Sequence, residues 1–347
     1  MISIIICSRN PEMDKRLDEN IRQTIGAEYE IVLVDNSEGK YGICGAYNEG
    51  VRRSKGDILC FMHEDIHYYT ENWGKKVEEH FREEEMSMLS TVGSHILPSR
   101  GDWRVGYHQY AVLSFLQRTP RISSAGSYYV TLAKDGIPHH KEGSLIKVAT
   151  VDGVWFCIPR NVFENGKICF DETSFPAFHM YDIDISMQVN KIGGRIYICD
   201  DILFEHFSEG NFSADFYTSL LKFQQKWQEL LPVIVGCDIT IDNLNAQGQN
   251  AEEMLKERIE RDAMIPLIRK RGVATQTERK MVADADYAYA KKVVKYKKPW
   301  SSVVSFLAEY INDDVTIRKK KILWKFFAYR ILHFPVRKMY IEFHDQL

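Results

Sequence analysis

An acidic pair, Glu64 and Asp65, follows a short apolar run at residues 58–62, with His63 between the run and the pair. The run is long enough for a buried strand and too short for a typical helix. Ligands of open parallel sheets bind beyond the carboxyl ends of the strands, where a carboxylate pair can hold a divalent metal and, through it, a diphosphate. The competing interpretation is that the pair caps the next helix, because aspartate is a good N-cap residue.

Other groups capable of metal binding or acid–base chemistry fall near the ends of predicted elements. Asp35 ends a predicted strand, and Asp182 and Asp184 stand at a predicted helix start. His206 lies in a late apolar segment. An acid at a strand end can bind a ribose or a base, and a carboxylate at a helix start can act as a general base. Together these groups suit transfer from a nucleotide-diphosphate donor, although each could also be an ordinary turn, helix-start or half-buried residue.

The elements that must position these groups alternate between strands and helices. Apolar runs at residues 2–7, 29–35 and 58–62 predict strands, and apolar residues spaced four apart predict a helix at 11–25. A second helix, predicted within 41–54, is followed by a basic residue and a glycine. This order is typical of parallel strands joined by right-handed crossovers and predicts an α/β fold.

The later part of the chain is less regular. It predicts a helix at residues 70–85 and a strand at 86–96, followed by an irregular, aromatic-rich insert at about 98–143. Long irregular connections inside a domain are often substrate loops. After about residue 213 the pattern becomes helical and charged, with helices predicted at 216–231 and 251–268.

Composition narrows the class of protein. The chain has 347 residues, 45% hydrophobic and 27% charged, which predicts one large domain with an appendage, or two domains. A net charge of −3 argues against a general nucleic-acid-binding protein. The seven cysteines lack CxxC spacing and suit a reducing compartment, and no apolar run approaches the roughly 18 residues of a membrane span. We therefore expect a cytoplasmic protein whose N-terminal run is a strand and not a signal peptide.

The order of the motifs resembles that of the family-2 glycosyltransferases with the GT-A fold, over roughly residues 1–210. A small bacterial subgroup of glycosyltransferases is the most similar. The resemblance rests on VDNS at 34–37, YNEG at 47–50, KGDILCF at 55–61, MHED at 62–65 and YDID at 181–184. It implies a GT-A, Rossmann-like α/β fold with a mixed sheet flanked by helices. The catalytic domain would span 1–211, and a mainly helical C-terminal region would span 212–347.

On the donor side, the resemblance implies a nucleotide-sugar ligand and the residues that contact it. Ser8 and Arg9 would line the nucleotide pocket, and Asp35 would contact the base. Asn48 lies where the family often has an asparagine near the donor. Glu64 takes the middle position of the family's Asp-x-Asp-type motif.

The resemblance also implies a divalent cation, Mn²⁺ or Mg²⁺, and an inverting mechanism. Asp65 matches the last acid of the metal-binding motif, and His206 resembles a histidine that some GT-A enzymes use as a further ligand. His63 stands where an aspartate is more usual, which departs from the family pattern, although histidine is itself a metal ligand. Asp182 matches the catalytic base, and Asp184 occupies a position that is also often acidic.

The acceptor side is less defined. Asp152 and Gly153 resemble the acceptor-side strand turn of the family, although Asp-Gly is also an ordinary turn. The implied acceptor is a glycan, a lipid-linked molecule or another hydroxyl compound, as in polysaccharide biosynthesis. The basic, aromatic segment 317–347 has two interpretations. It contacts an anionic membrane at its inner face, or it packs on the catalytic domain or on a second subunit of a homo-oligomer.

Two other functions fit the same sequence. A sugar nucleotidyltransferase would keep the fold, but that class favours a glycine-rich, basic loop after the first strand, where this chain has SRNP at 8–11. A catalytically silent nucleotide- or carbohydrate-binding protein would explain the departures at His63 and Tyr181. Donor hydrolysis with Mn²⁺ that depends on Asp182 would exclude the silent binder.

Overall fold

The computed structural model describes residues 1–100, 102–105, 107–117, 128–131, 145–164, 167–208, 212–246, 248, 250–278, 281–282 and 285. The chain forms two compact units, Met1–Thr119 with Ser127–Leu255, and Pro120–Gly126 with Lys256–Leu347. Every site residue discussed below belongs to the first unit. The predicted domain boundary between residues 211 and 212 stays a prediction.

The elements of the described residues are as follows. The strands are β1 Ile2–Ser8, β2 Tyr29–Asp35, β3 Ile58–Met62, β4 Ile66–Tyr68, β5 Met88–Ser90, β6 Val92–Ser94, β7 Ile96–Leu97, β8 Ala111–Gln117, β9 Tyr128–Thr131, β10 Leu145–Val148, β11 Thr150–Val151, β12 Trp155–Pro159, β13 Ile196–Cys199, β14 Phe204–His206 and β15 Val233–Ile234. The α-helices are α1 Lys15–Thr24, α2 Ile43–Arg53, α3 Trp73–Glu83, α4 Arg160–Phe163, α5 Tyr181–Lys191, α6 Ala214–Trp227, α7 Ile241–Ala246 and α8 Ala251–Arg271.

The larger sheet has seven strands in the order β10-β13-β5-β12-β3-β1-β2. β1 pairs in parallel with β2 and β3, as the sequence predicts, whereas β12 is antiparallel to β3 and β5. β3 is buried along its whole length, which explains its continuous apolar sequence. Because Ser8 is the register partner of Asp35, and Ile6 that of Met62, the ends of these three parallel strands meet at one edge of the sheet.

Helices α1 and α2 follow β1 and β2 and are set by local sequence signals. The carboxylate of Asp14 caps α1 by accepting hydrogen bonds from the amides of Arg16 and Leu17. Helix α2 packs so closely on β1 that a Cβ atom at Gly50 would lie 2.2 Å from Cγ2 of Ile5. Glycine at position 50 therefore permits the helix–strand contact that fixes the first crossover.

After β3 the chain enters a smaller sheet, which has the strand order β11-β6-β8-β14-β4. β4 pairs antiparallel with β14, and Ile66 is the register partner of His206. The buried amide of Asn20 anchors β4, since it donates to the carbonyl of Tyr68 at 3.0 Å and accepts from its amide at 2.7 Å. This sheet therefore fixes the position of the loop between β3 and β4.

One alternative interpretation is excluded, and two predictions about elements are wrong in part. Glu64 and Asp65 do not cap a helix, because the chain enters β4 directly and the next helix begins at Trp73. The strand predicted at 86–96 is divided into β5, β6 and β7, because the chain passes from the larger sheet to the smaller one between β5 and β6. The insert at 98–143 is not wholly irregular, since it contributes the antiparallel pair β8 and β9.

The C-terminal region contains α6, α7 and α8, so the predicted helical character is confirmed over the described residues. The segment 317–347, for which membrane or subunit contact is predicted, lies outside the described residues. No helix in the described part of the chain combines the length and the apolar character that crossing a membrane requires.

Candidate functional site

The first group of site residues lies at the shared edge of β1, β2 and β3. The hydroxyl of the buried Ser8 donates to Oε2 of Glu64 at 2.5 Å and accepts from the amide of Asn10 at 3.0 Å. The structure therefore brings Ser8 and Glu64 into direct contact, and this contact orients the loop that follows β3.

Three potential ligand atoms converge beside this loop. Nδ1 of His63 lies 3.3 Å from Nε2 of His206. Oδ1 of Asp65 lies 3.4 Å from the same nitrogen of His206 and 3.9 Å from Nδ1 of His63. Two nitrogen ligands and one carboxylate therefore face a common point, and we call these three residues the metal cluster.

The backbone fixes each member of the metal cluster. The amide of His63 donates to the carbonyl of Val154, the residue just before β12, at 3.0 Å. The carbonyl of Asp65 accepts from the amide of Phe207 at 3.0 Å, directly after β14. His206 itself is the last residue of β14 and is paired with β4. The side chains thus converge because β3, β12 and the β4–β14 pair meet at this point.

The metal cluster fits a divalent cation. Two ligand atoms about 2.1 Å from one cation and at right angles to each other lie about 3.0 Å apart. The observed separations of 3.3, 3.4 and 3.9 Å are close to that value and need only a small contraction. His63 is thus one of the three residues that could hold a cation here.

Tyr181 connects the metal cluster to the start of α5. Its hydroxyl donates to the carbonyl of Gly153 at 3.1 Å and lies 3.0 Å from Nε2 of His63. Since the hydroxyl donates its single proton in the hydrogen bond to Gly153, the phenolic oxygen accepts a hydrogen bond from Nε2–H of His63. This tautomer turns Nδ1 of His63 toward His206 as the nitrogen that would ligate a cation.

Gly153 permits this connection. A Cβ atom at position 153 would lie 2.0 Å from the hydroxyl oxygen of Tyr181, so a side chain there would displace the phenol. The amide of the same glycine donates to Oδ2 of Asp182 at 3.0 Å. Hydrogen bonds therefore run from His63 through Tyr181 and Gly153 to Asp182.

Asp182 is the buried carboxylate at the end of this path, with 2% of its surface exposed. Oδ2 accepts from the amide of Gly153 and from Nη1 of Arg104 at 3.1 Å. Burial raises the pKa of Asp182 to about 6, with Asp152 and Asp102 contributing in the same direction and Arg104 opposing them. A carboxyl group with this pKa is ionised near neutral pH and is still basic enough to take a proton.

Arg104, which the sequence analysis missed, pairs with three carboxylates. Its guanidinium bonds to Asp102 through Nε and Nη2, and to Asp152 and Asp182 through Nη1. The residue lies in the segment predicted to be an irregular insert, where no periodicity marks it. The Asp-Trp-Arg sequence at 102–104, with opposite charges two residues apart, was the one available signal.

Asp184, also predicted to be catalytic, has different neighbours. Its Oδ1 accepts from Nζ of Lys226 and Nε1 of Trp227, both at 2.7 Å, and its Oδ2 accepts from Gln188 at 2.8 Å. Burial raises the pKa of Asp184, and the bond to Lys226 opposes this shift. These contacts tie α5 to α6, so the geometry favours a structural role for Asp184.

A second group of potential ligands, His80, Cys199 and Asp201, also lies close together within the described residues. Nε2 of His80 lies 3.0 Å from Asp201, and Nζ of Lys76 lies 3.2 Å from the other oxygen of the same carboxylate. These partners balance the charge of Asp201, and the group is accounted for as a buried ion pair between α3 and the end of β13.

Residues 3–212 match the model of a family described as a glycosyltransferase-like family. The chain belongs to the glycosyltransferase-like family. The predicted family, the GT-A type of mixed α/β sheet and the predicted enzyme class, a glycosyltransferase, are thereby confirmed.

Solved structures similar to this glycosyltransferase are distant in sequence. GalNAc-T7, crystallised with UDP, GalNAc and Mn²⁺, is 12% identical with a TM-score of 0.44, over 63% of this chain and 46% of that chain. The protein A197 from STIV is 13% identical with a TM-score of 0.35, over 69% of this chain and 96% of that chain. The glycosyltransferase thus spans less than half of the GalNAc-T7 chain. No curated protein matches it.

The remaining predicted donor residues of the glycosyltransferase have the following contacts. Asp35 is exposed at the end of β2 and accepts from the amide of Ser37 at 2.9 Å. Asn48 exchanges two hydrogen bonds with the backbone of Phe170. The guanidinium of Arg9 lies 5.4 Å from the ring centre of the exposed Phe178. Their donor roles stay predictions, and Asn48 also joins α2 to the segment before α5.

Replacement of a metal-cluster residue should abolish cation binding by the glycosyltransferase. We expect Asp65→Ala and His206→Ala to lose Mn²⁺ binding, because each removes one of three converging ligands. Loss of the free-Mn²⁺ electron paramagnetic resonance signal on titration with protein measures binding. His108→Ala, which removes an exposed histidine of the same unit, is the matched control and should bind as wild type. Undiminished binding by both cluster variants would contradict the site.

The hydroxyl of Tyr181 should strengthen cation binding without contacting the cation. We expect Tyr181→Phe to weaken Mn²⁺ binding about 10- to 100-fold, because His63 loses the partner that sets its tautomer. Calorimetric titration gives the dissociation constants. The control is Tyr47→Phe, since the Tyr47 ring packs on that of Tyr181 and its buried hydroxyl has no hydrogen-bond partner among the described residues. Equal affinities for Tyr181→Phe and wild type would refute the tautomer assignment.

Proposed function

We propose that this glycosyltransferase moves a glycosyl group from a nucleoside-diphosphate sugar to an acceptor hydroxyl, with a divalent cation bound at His63, Asp65 and His206. The observation that carries the proposal is the hydrogen-bonded path from this metal cluster through Tyr181 and Gly153 to Asp182. It joins the two kinds of group that the reaction needs, a cation site for the leaving diphosphate and a carboxylate base.

The donor would bind at the shared edge of β1, β2 and β3. A cation held there would neutralise the charge that develops on the leaving diphosphate. Two imidazole nitrogens in the donor set favour a first-row transition metal such as Mn²⁺ over Mg²⁺, which prefers oxygen ligands. Ser8 and Glu64 would orient the loop, and Arg9 and Asp35, at the same strand ends, would contact the nucleotide.

Asp182 would act as the general base. Its carboxylate would take the proton of the acceptor hydroxyl while that oxygen forms a bond to the anomeric carbon of the sugar. The bond from this carbon to the diphosphate oxygen would break, and the electron pair would leave with the diphosphate. A single displacement of this kind inverts the anomeric configuration. Gly153 and Arg104 hold Oδ2 of Asp182, which supports a fixed orientation of the carboxylate.

The residues on the acceptor side are proposed from their positions in the structure. Asp152 and Gly153 precede β12 and contact the groups around Asp182, which supports a role beside the acceptor. A glycan or lipid-linked hydroxyl is the proposed acceptor. Contact of segment 317–347 with a membrane, or with a second subunit, stays a prediction.

Turnover should depend on Asp182 and on its ionisation. We expect Asp182→Asn to slow release of nucleoside diphosphate about 10²- to 10⁴-fold, because the amide cannot accept the proton. For wild type, the base must be ionised, so turnover should rise with pH up to about 6 and level off above it. A panel of nucleoside-diphosphate sugars with Mn²⁺ serves as substrate. Asp57→Asn, at an exposed carboxylate, is the control. Wild-type turnover by Asp182→Asn would rule out this base.

A further inference from the structure

The guanidinium of Arg104 is the meeting point of three carboxylates from separate parts of the chain. Asp102 is its neighbour in sequence, Asp152 lies in the turn before β12, and Asp182 lies in the first turn of α5. Nη1 reaches Asp152 at 3.2 Å and Asp182 at 3.1 Å. One nitrogen is thus shared between the proposed base and a residue on the proposed acceptor side.

Asp102 fixes the direction in which this nitrogen points. Its Oδ2 accepts from Nε of Arg104 at 2.8 Å and also from Nη2, and its Oδ1 accepts from the backbone amide of Arg104 at 3.0 Å. Asp102 is itself fully buried. Because the planar guanidinium is held along one edge, its other edge is aimed at Asp152 and Asp182.

Two aromatic rings also lie beside the guanidinium of Arg104. The guanidinium carbon of Arg104 lies 5.7 Å from the ring centre of Trp103 and 5.9 Å from that of Phe216 on α6. Arginine favours such positions because its flat cation stacks on rings while its edge donates hydrogen bonds. Lysine carries the charge but cannot satisfy this geometry.

The consequence for Asp182 is electrostatic. Burial and the nearby Asp152 and Asp102 favour the protonated acid, whereas Arg104 and a hydrogen bond from the backbone amide of Ile183 favour the carboxylate. Among the described residues, uncharged titratable groups that interact with Asp182 include Tyr47, Tyr181 and Cys44. A general base must be ionised before it can take a proton, so the position of this one cation matters for the reaction.

We propose that Arg104 is a positioning residue of the transfer reaction, which holds the carboxylate of Asp182 ionised and oriented while Asp102 holds the guanidinium. The proposal rests on the proposed role of Asp182 as the base. The competing explanation is that Arg104 only compensates buried charge so that the segment around Trp103 can fold. The two explanations differ in what they predict for the titration of Asp182.

The test is the titration of Asp182 followed by carbon-13 nuclear magnetic resonance of labelled aspartate carboxyl groups, with the resonance assigned by its loss in Asp182→Asn. Wild type should titrate near 6. Arg104→Gln should raise the midpoint by about one to three pH units, because a neighbouring opposite charge is removed. Arg104→Lys should raise it less. Arg100→Gln, which removes an exposed arginine of the same segment bonded to the carbonyl of Asn245, should leave it unchanged.

Turnover supplies the second readout. With a midpoint raised by about two units, Arg104→Gln should lose about tenfold in turnover at neutral pH, recover at higher pH, and keep its Michaelis constant for donor. A folded Arg104→Gln variant with an unchanged midpoint would overturn the proposal, as would a raised midpoint with an unaltered pH–rate profile. If Arg104→Gln does not fold, Arg104→Lys provides the same comparison.

The same two measurements distinguish a failure of the Arg104 proposal from a failure of the proposed function. The carboxyl titration needs no substrate, so a raised midpoint in Arg104→Gln establishes the electrostatic effect even where turnover is absent. If Asp182→Asn turns over as wild type, Asp182 is not the base, and the proposed mechanism is what fails. If Asp182→Asn is inactive and Arg104→Gln has a wild-type pH–rate profile, the role of Arg104 is what fails.

Discussion

The phenol of Tyr181 is the contact on which the arrangement of the site depends. It accepts a hydrogen bond from His63 and donates one to Gly153, whose amide in turn holds Asp182. Two features of the backbone permit this placement of Tyr181. Gly153 must lack a side chain, and Met180, just before the helix, adopts a left-handed backbone with φ of 67°. Strained backbone of this kind persists where surrounding contacts determine it, often at functional sites.

The charges of Asp102 and Arg104 make the segment after β7, in which both residues lie, part of the site. Asp102, Asp152 and Asp182 bring three carboxylates into a largely buried region, and Arg104 is the cation that pairs with all of them. Breaking a buried ion pair by removing one partner typically costs about 3–5 kcal/mol. The segment therefore contributes both to the stability of this region and to the charge state of Asp182.

Much of the first compact unit could be predicted from the sequence, because the patterns that define its strands are local. The strands β1, β2 and β3 are continuous apolar runs, and the acids and Ser8 at their ends are brought together by parallel pairing alone. The metal cluster could be anticipated only in part. The resemblance predicts Asp65 and His206 as ligands and marks His63 as a departure from the family pattern, whereas the short distance from His63 to His206 brings His63 into the same cluster.

Other residues depend on contacts that no local pattern encodes. Asp184 resembles a second catalytic acid, yet Lys226 and Trp227, some forty residues further along the chain, engage its carboxylate. Arg104 lies among aromatic residues without periodicity, and its partners at Asp152 and Asp182 come from distant segments. Strand β4 is only three residues long, which is why the Glu64–Asp65 pair also suited a helix cap.

The proposed function depends on a cation at His63, Asp65 and His206 that would hold the diphosphate of a nucleotide donor. The most direct test is a thermal-shift comparison of nucleoside diphosphates with and without Mn²⁺, on wild type and Asp65→Ala. A ligand that binds only the native state raises stability by about 2.7 kcal/mol at a hundredfold excess over its dissociation constant. We predict a Mn²⁺-dependent shift with one nucleotide class, absent in Asp65→Ala. No shift with any nucleotide, or a shift that depends on neither Mn²⁺ nor Asp65, would contradict the proposed cation site.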